Sequence, residues 1–250
     1  MSTKLRSCWN AEKTAVNGWL SSPNAFFAEI MSKKNFDSIT IDLQHGLIDF
    51  RDALSMMQAM SGSKPTVLCR VPWLEPSIIM KLLDAGAMGI ICPMINNAEQ
   101  AKTFVGALKY APEGYRSAGP LRASFLKDNY FEIANSEIIS LAMIETSDGL
   151  ENAREICSIS GLDGIYIGPS DLGMSLGYGP GIDWADGPVK HAILHILEIA
   201  KSAGIKACLH CSSAEYVEEM YQVGFDLCTL SSDVHIFSKA LEKQLSLVKS

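Results

Sequence analysis

Residues 36–60 read FDSITIDLQHGLIDFRDALSMMQAM. Phe36 to Asp42 has the apolar, partly β-branched character of a buried strand, and Phe50 to Met60 carries apolar residues at helical spacing. Between them Gln44 and His45 arrive beside Asp42, and Gly46 follows at once. A strand, a polar turn and an amphipathic helix in immediate succession make one βα unit. Working outward, the same rhythm recurs. Strand candidates lie at 15–21, 36–42, 66–71, 89–94, 140–146, 163–169, 206–210 and 226–232, with helical patterns between them. Several of those patterns close on Gly86, Gly161, Gly204 or Gly224, as helix ends do.

Strands that alternate with helices pair in parallel through right-handed crossovers. Eight units in 250 residues match the size of an α/β (β/α)8 TIM barrel, read as a single domain over residues 1–250. A doubly wound sheet would offer a glycine-rich phosphate turn after its first strand, and SSPNAFF at 21–27 is not one. Residues 112–135 read as a long loop after strand four, the kind that serves function or contact.

The chain is 48% hydrophobic and 20% charged, enough to bury a large core, and its net charge is −7. No Lys/Arg run exceeds a pair, which argues against a nucleic-acid or anionic-membrane partner. No apolar run approaches a membrane span, and the first residues lack the apolar core of a signal peptide. Seven cysteines, mostly inside apolar runs, suggest reduced thiols in a cytoplasmic protein. Cys208, His210 and Cys211 lack the second ligand pair that a zinc site needs, so strand packing is the better reading.

In a barrel of this kind, chemistry collects at the C-terminal ends of the strands. Those ends present Asp42, Gln44 and His45, then Arg70, Glu145, Ser170 with Asp171, His210, and Ser231 to Asp233. Buried ionisable groups are costly, so Asp42 and His45 are expected to face a cavity. Glu145 and Asp171 come from adjacent strands and suit a hard divalent cation. Alternatively, Glu145 pairs with Arg70 and Asp171 caps the following helix. Arg70 either binds a substrate carboxylate or balances those acids. No lysine sits at a strand end, which argues against Schiff-base chemistry.

The motifs FDSITIDLQHG, VLCRVPW, LLDAGAMGIICPMINNAEQA, YAPEGYR, AMIET and GIYIGPSDLGMSLG, in this order, resemble the HpcH/HpaI aldolase family. The likeness runs from about Phe36 to Asp233. It implies a (β/α)8 barrel, commonly a hexamer or trimer with a helix exchanged between neighbours, and a divalent metal (Mg²⁺, Mn²⁺ or Co²⁺) supporting a class II aldol reaction. By the same resemblance Glu145 and Asp171 hold the metal, Arg70 holds the oxygen of bound pyruvate, and His45 is the acid/base. Asp42 belongs to that site, and Asp84 reaches a neighbouring subunit's site to assist the histidine. The backbone N–H groups of Ser170 and Asp171 cradle the pyruvate carboxylate.

Three positions depart from the family's pattern: Gln44 replaces a frequent Glu, Met143 a Gln, and Ser117 a Gly. Arg116 and Arg122 keep their places, as rim contacts for an acidic substrate or as structural ion pairs. The expected reaction is reversible cleavage of a 4-hydroxy-2-oxo carboxylate to pyruvate and an aldehyde. Decarboxylation of oxaloacetate through the same enolate, or a non-catalytic barrel that binds a dicarboxylate, are the alternatives.

Overall fold

The computed structural model describes residues 2–248. Eight parallel strands close into a barrel in sequence order: β1 (Ala15–Leu20), β2 (Ser38–Asp42), β3 (Thr66–Arg70), β4 (Gly89–Cys92), β5 (Ile139–Ile144), β6 (Gly164–Ile167), β7 (Lys206–Cys211) and β8 (Leu227–Leu230). The ring is completed where Ala15, Val16 and Asn17 of β1 pair with Leu227, Cys228 and Thr229 of β8. The first five helices are α1 (Lys4–Asn10), α2 (Ala25–Ser32), α3 (Phe50–Ala59), α4 (Pro76–Asp84) and α5 (Ala98–Leu108). They are followed by α6 (Leu121–Leu126), α7 (Tyr130–Glu137), α8 (Ser147–Glu151) and α9 (Ala153–Cys157). The last four are α10 (Pro169–Ser175), α11 (Pro188–Ser202), α12 (Ala214–Val223) and α13 (Asp233–Val248). No helix among the described residues is long and apolar enough to cross a membrane.

Alternation along each strand divides the core in two. Residues pointing outward pack under the helices, in one large cluster that includes Ile39, Ile41, Ile90, Ile144, Ile165 and Leu209. Residues pointing inward fill the barrel, with Trp19, Leu68, Ile91, Leu141, Met143 and Tyr166 among them. Helix α1, which sequence patterning did not reveal, closes the N-terminal mouth of the barrel. Its Leu5 and Trp9 join the interior cluster, Leu5 N donates to Thr66 Oγ1 (3.0 Å), and Trp9 Nε1 donates to Asp226 O (3.2 Å). The N-terminal end of the interior is thus filled by α1, and a cavity lies at the C-terminal end.

The long loop expected at 112–135 is a correction. It carries α6 and most of α7, packed so that Ala123, Tyr130 and Ala134 are buried. The helical pattern at 147–161 is split into α8 and α9 at Asn152, whose Nδ2 donates to Asn96 O (2.9 Å). All seven cysteines are free thiols, six of them buried. Helix α13 buries none of its side chains, and it exposes Ile236, Phe237, Leu241 and Leu245.

Candidate active site

The strands end and the chemistry begins in the turn after β2. Gly46 is required there: a Cβ would lie 2.2 Å from Asp42 O and 3.1 Å from Ser21 O. The turn is closed by Leu47 N donating to Ser21 O (2.9 Å) and by the Asp49–Asp52 capping box that starts α3. This geometry turns the carboxylate of Asp42 back over its own loop. Asp42 Oδ1 accepts from Gln44 N (3.0 Å) and His45 N (3.3 Å), while Oδ2 accepts from Trp19 Nε1 (3.3 Å).

The same carboxylate meets Arg70 in a two-pronged pair, Nε to Oδ1 at 2.8 Å and Nη2 to Oδ2 at 2.6 Å. Both residues are buried, so this is a charge-assisted fork of the strong kind. Burial alone would push the Asp42 carboxyl up; the guanidinium of Arg70 and the two loop amides outweigh it and hold the carboxyl below its ordinary range. One of the sequence alternatives is thereby corrected. Arg70 is claimed by Asp42 rather than by Glu145, and Asp42, with every lone pair engaged, anchors Arg70 and the His45 turn.

A cavity of about 450 Å³ opens at this end of the barrel. Asp42, His45, Arg70, Glu145, Ser170 and Asp171 all line it, as do His210, Ser231 and Ser232, so nine residues expected from the strand ends meet in one place. Glu145 follows β5 and is buried, and its Oε1 accepts from Met94 N (2.8 Å). Asp171 lies in the first turn of α10, whose N-cap is Gly168 with Pro169 next. Asp171 therefore does not cap that helix, which corrects the second half of that alternative. Without a side-chain cap, the N–H groups of Ser170 and Asp171 find no acceptor among the described residues and stay available to an anion.

No cation of the described residues pairs with Glu145 or Asp171. Burial pushes the Glu145 carboxyl up to about 7, and the like charge of Asp171 adds to this against the opposing effects of Met94 N–H and Arg70. Two unpaired carboxylates sharing a cavity are a donor set that fits a hard divalent cation, with water or substrate oxygens completing its shell. No group of three or more His, Cys, Asp or Glu among the described residues is arranged as a metal site, so a cation here depends on these two.

Other expected residues fall elsewhere. Asp84, at the end of α4, does not line the cavity; Arg116 Nη2 donates to its Oδ1 (2.7 Å) and to Tyr130 OH (3.0 Å). Arg122 donates to Ala85 O (2.6 Å) and Ser61 Oγ (2.7 Å). Both arginines are structural and neither reaches the cavity rim. Gln44 also turns away, its Oε1 buried and unpartnered, whereas Met143 lines the cavity beneath Glu145. Asp233 accepts from Ser21 N (2.8 Å) and Ser22 N (3.2 Å), fixing the start of α13.

Strand-end logic missed Trp19, His235 and Lys239. Trp19 reads as core, and it is, yet its ring is also the floor under Arg70, whose guanidinium carbon is 4.8 Å from the ring centroid. His235 and Lys239 arrive from one face of α13, where no strand end points to them. Lys239 is exposed, so it is not the desolvated amine that Schiff-base chemistry requires.

The chain is matched over residues 16–240 by the family HpcH/HpaI aldolase/citrate lyase. It is 40% identical over 246 residues to the hydroxypyruvate/pyruvate aldolase of Rhizorhabdus wittichii, covering 97% of each chain. It is 28% identical to the 4-hydroxy-2-oxo-heptane-1,7-dioate aldolase of Salmonella typhimurium, covering 98% of each. Among solved structures, a family protein from Burkholderia cenocepacia superposes with a TM-score of 0.89 at 28% identity, over 95% of both chains. Barrel, cavity and sequence agree: the chain belongs to the HpcH/HpaI aldolase/citrate lyase family.

Proposed function

We propose that this protein is a metal-dependent aldolase that reversibly cleaves 4-hydroxy-2-oxo carboxylates to pyruvate and an aldehyde. The observation that carries this reading is the meeting of Glu145 and Asp171, unpaired, with Arg70 and His45 in one cavity. The names of its aldolase relatives point the same way.

Glu145 and Asp171 would hold a divalent cation, Mg²⁺, Mn²⁺ or Co²⁺, which when bound supplies Lewis acidity at the carboxylate and ketone oxygens of a 2-oxo acid. The Ser170 and Asp171 N–H groups receive the substrate carboxylate. Arg70, locked in place by Asp42, presents positive charge to the ketone oxygen before charge develops there, so no reorganisation is needed at the moment of reaction. His45, directly or through one water, takes the proton of the C4 hydroxyl. The C3–C4 bond then breaks, its electron pair enters the pyruvyl half as an enolate, and the aldehyde leaves. Protonation at C3 gives pyruvate, and the reverse sequence gives condensation.

A homo-oligomer suits the parts that a single copy leaves unused. Helix α13 exposes an apolar face, and Asp84, held by Arg116, stands outside its own cavity. In that assembly Asp84 assists the His45 of a neighbour. The deciding assay incubates pyruvate and a panel of aldehydes with enzyme treated with EDTA, desalted, and supplied with single metals. Condensation that appears only with added metal is expected; full activity without metal would refute the reading. Oxaloacetate run beside the aldehydes reports decarboxylation through the same enolate.

A further inference from the structure

The interior of a barrel is usually apolar, yet here a chain of polar side chains runs up its inner wall to the cavity floor. Ser38 Oγ donates to Asn17 Oδ1 (2.8 Å), and Asn17 Nδ2 donates to Thr229 Oγ1 (2.9 Å). Tyr166 OH lies 2.6 Å from Thr229 Oγ1 and 3.1 Å from His210 Nδ1. Ser38, Asn17, Thr229 and Tyr166 are fully buried. His210 lines the cavity itself and packs perpendicular to the ring of Trp19 at a centroid distance of 4.8 Å.

The chain has a direction. A buried hydroxyl hydrogen left without an acceptor costs stability, so each must be placed. Asn17 is the only side-chain partner of Ser38 among the described residues, so Ser38 donates to it. That orients the Asn17 amide with its nitrogen toward Thr229. Thr229 accepts from Asn17 and gives its own hydrogen to Tyr166, its remaining partner, and Tyr166 then donates to His210 Nδ1. Reversing the order would strand the hydrogen of Ser38. With Nδ1 an acceptor, the proton of the neutral imidazole is on Nε2. Nε2 makes no bond within the described protein and is not sealed off. Burial, reinforced by nearby Arg70, pushes the imidazole down to about 4, which keeps it neutral in ordinary buffers.

We propose that His210 is a neutral Nε2–H donor that binds an oxygen of the aldehyde half of the substrate. This rests on the aldolase reading above. The pyruvyl half is engaged by Arg70 and the two acids. His210 lines the same cavity from the β7 end, with Ser212 of its own strand end and Ser231 after the neighbouring strand, and pairs with neither acid. A neutral, fixed donor polarises a carbonyl without surrendering a proton, so it can serve both directions of a reversible reaction while His45 moves the proton.

The test has a spectroscopic arm and a kinetic arm. In ¹⁵N-histidine-labelled protein, with His210→Gln for assignment, Nε2 of His210 is expected at the protonated position and Nδ1 at the unprotonated one. The opposite tautomer overturns the proposal. Kinetically, His210→Phe is expected to lower kcat/KM for condensing pyruvate with glyceraldehyde about tenfold, the effect of one neutral hydrogen bond. Exchange of pyruvate methyl protons with D₂O, which needs no aldehyde, should stay near the wild-type rate and shows that the fold is intact. His210→Gln, which keeps an N–H donor in place, should recover most of the loss. Equal losses in both assays, or no loss in condensation, overturn the role. Wild-type enzyme lacking both exchange and condensation would instead bring down the aldolase reading, and this role with it.

Discussion

Replacing Glu145 by Gln should make the metal-free protein more stable at pH 8 while abolishing its activity. Glu145 is buried beside Asp171 with no cation partner among the described residues, and its carboxyl is raised from 4.5 to about 7. A raised acid means that the folded protein binds more protons than the unfolded chain between those two values. Stability therefore falls as pH rises through that window, and the whole cost is present above about pH 7. At about 1.4 kcal/mol per pH unit, the shift corresponds to roughly 3 kcal/mol. Gln keeps an oxygen for the Met94 N–H and carries no charge, so the cost disappears. For a chain of this size about 1 kcal/mol moves Tm by roughly 2–4 °C, so the variant should melt roughly 6–12 °C above wild type at pH 8 in EDTA. The gap should close near pH 5, where Glu145 of the wild type is itself protonated. Added Mn²⁺ should raise the wild type and leave the variant unmoved, because ligand binding stabilises only the form that binds it. Thermal melts in EDTA at the two pH values decide the matter. A variant equal to or below wild type at pH 8 would show that Glu145 is neither strained by burial nor held for a cation.

Further outcomes follow from the same geometry. A Cβ on Gly168 would lie 2.3 Å from Glu145 Oε2 and 3.0 Å from Met143 Cε, so Gly168→Ala must displace the carboxylate. Mn²⁺ affinity by calorimetry should fall roughly 10–100-fold, and unchanged affinity would place the cation elsewhere. Arg70→Ala strands the buried Asp42 carboxylate and should cost about 3–5 kcal/mol in urea unfolding at neutral pH. In the wild type that stability is present above the ordinary carboxylate value of 3.8 and is lost as pH falls through the lowered folded value, so the variant should lack this part of the acid-side decline. Leu5→Ala empties a fully buried position at the closed end of the barrel. It should destabilise by about 2–5 kcal/mol yet leave kcat for pyruvate–aldehyde condensation near wild type; a large loss of kcat would mean that the plug shapes the site.

The barrel was legible because its signals are local. Each strand's apolar run, and each helix's spacing, is written within a dozen neighbouring residues, and one-dimensional patterning reports such elements well. The site residues were legible for a related reason: parallel strands in sequence order bring their C-terminal ends together, so Asp42, Arg70, Glu145 and Asp171 could be gathered without coordinates. Helix α1 and helices α6 and α7 were not legible. Their burial comes from partners far along the chain, such as Thr66 and Asp226 for α1, and short helices carry little periodicity of their own.

What the amino-acid sequence determined alone was therefore the fold and the set of polar side chains at the barrel mouth. What only the tertiary structure decided was which of them are already spoken for. Asp42 and Arg70 are far apart in sequence, yet two contacts of 2.8 and 2.6 Å bind each to the other, leaving Glu145 and Asp171 without a cation partner among the described residues. The direction of the Ser38–Asn17–Thr229–Tyr166–His210 chain is likewise a property of five side chains from five strands. Pair energies depend on distance and burial, and neither is a function of position along a chain.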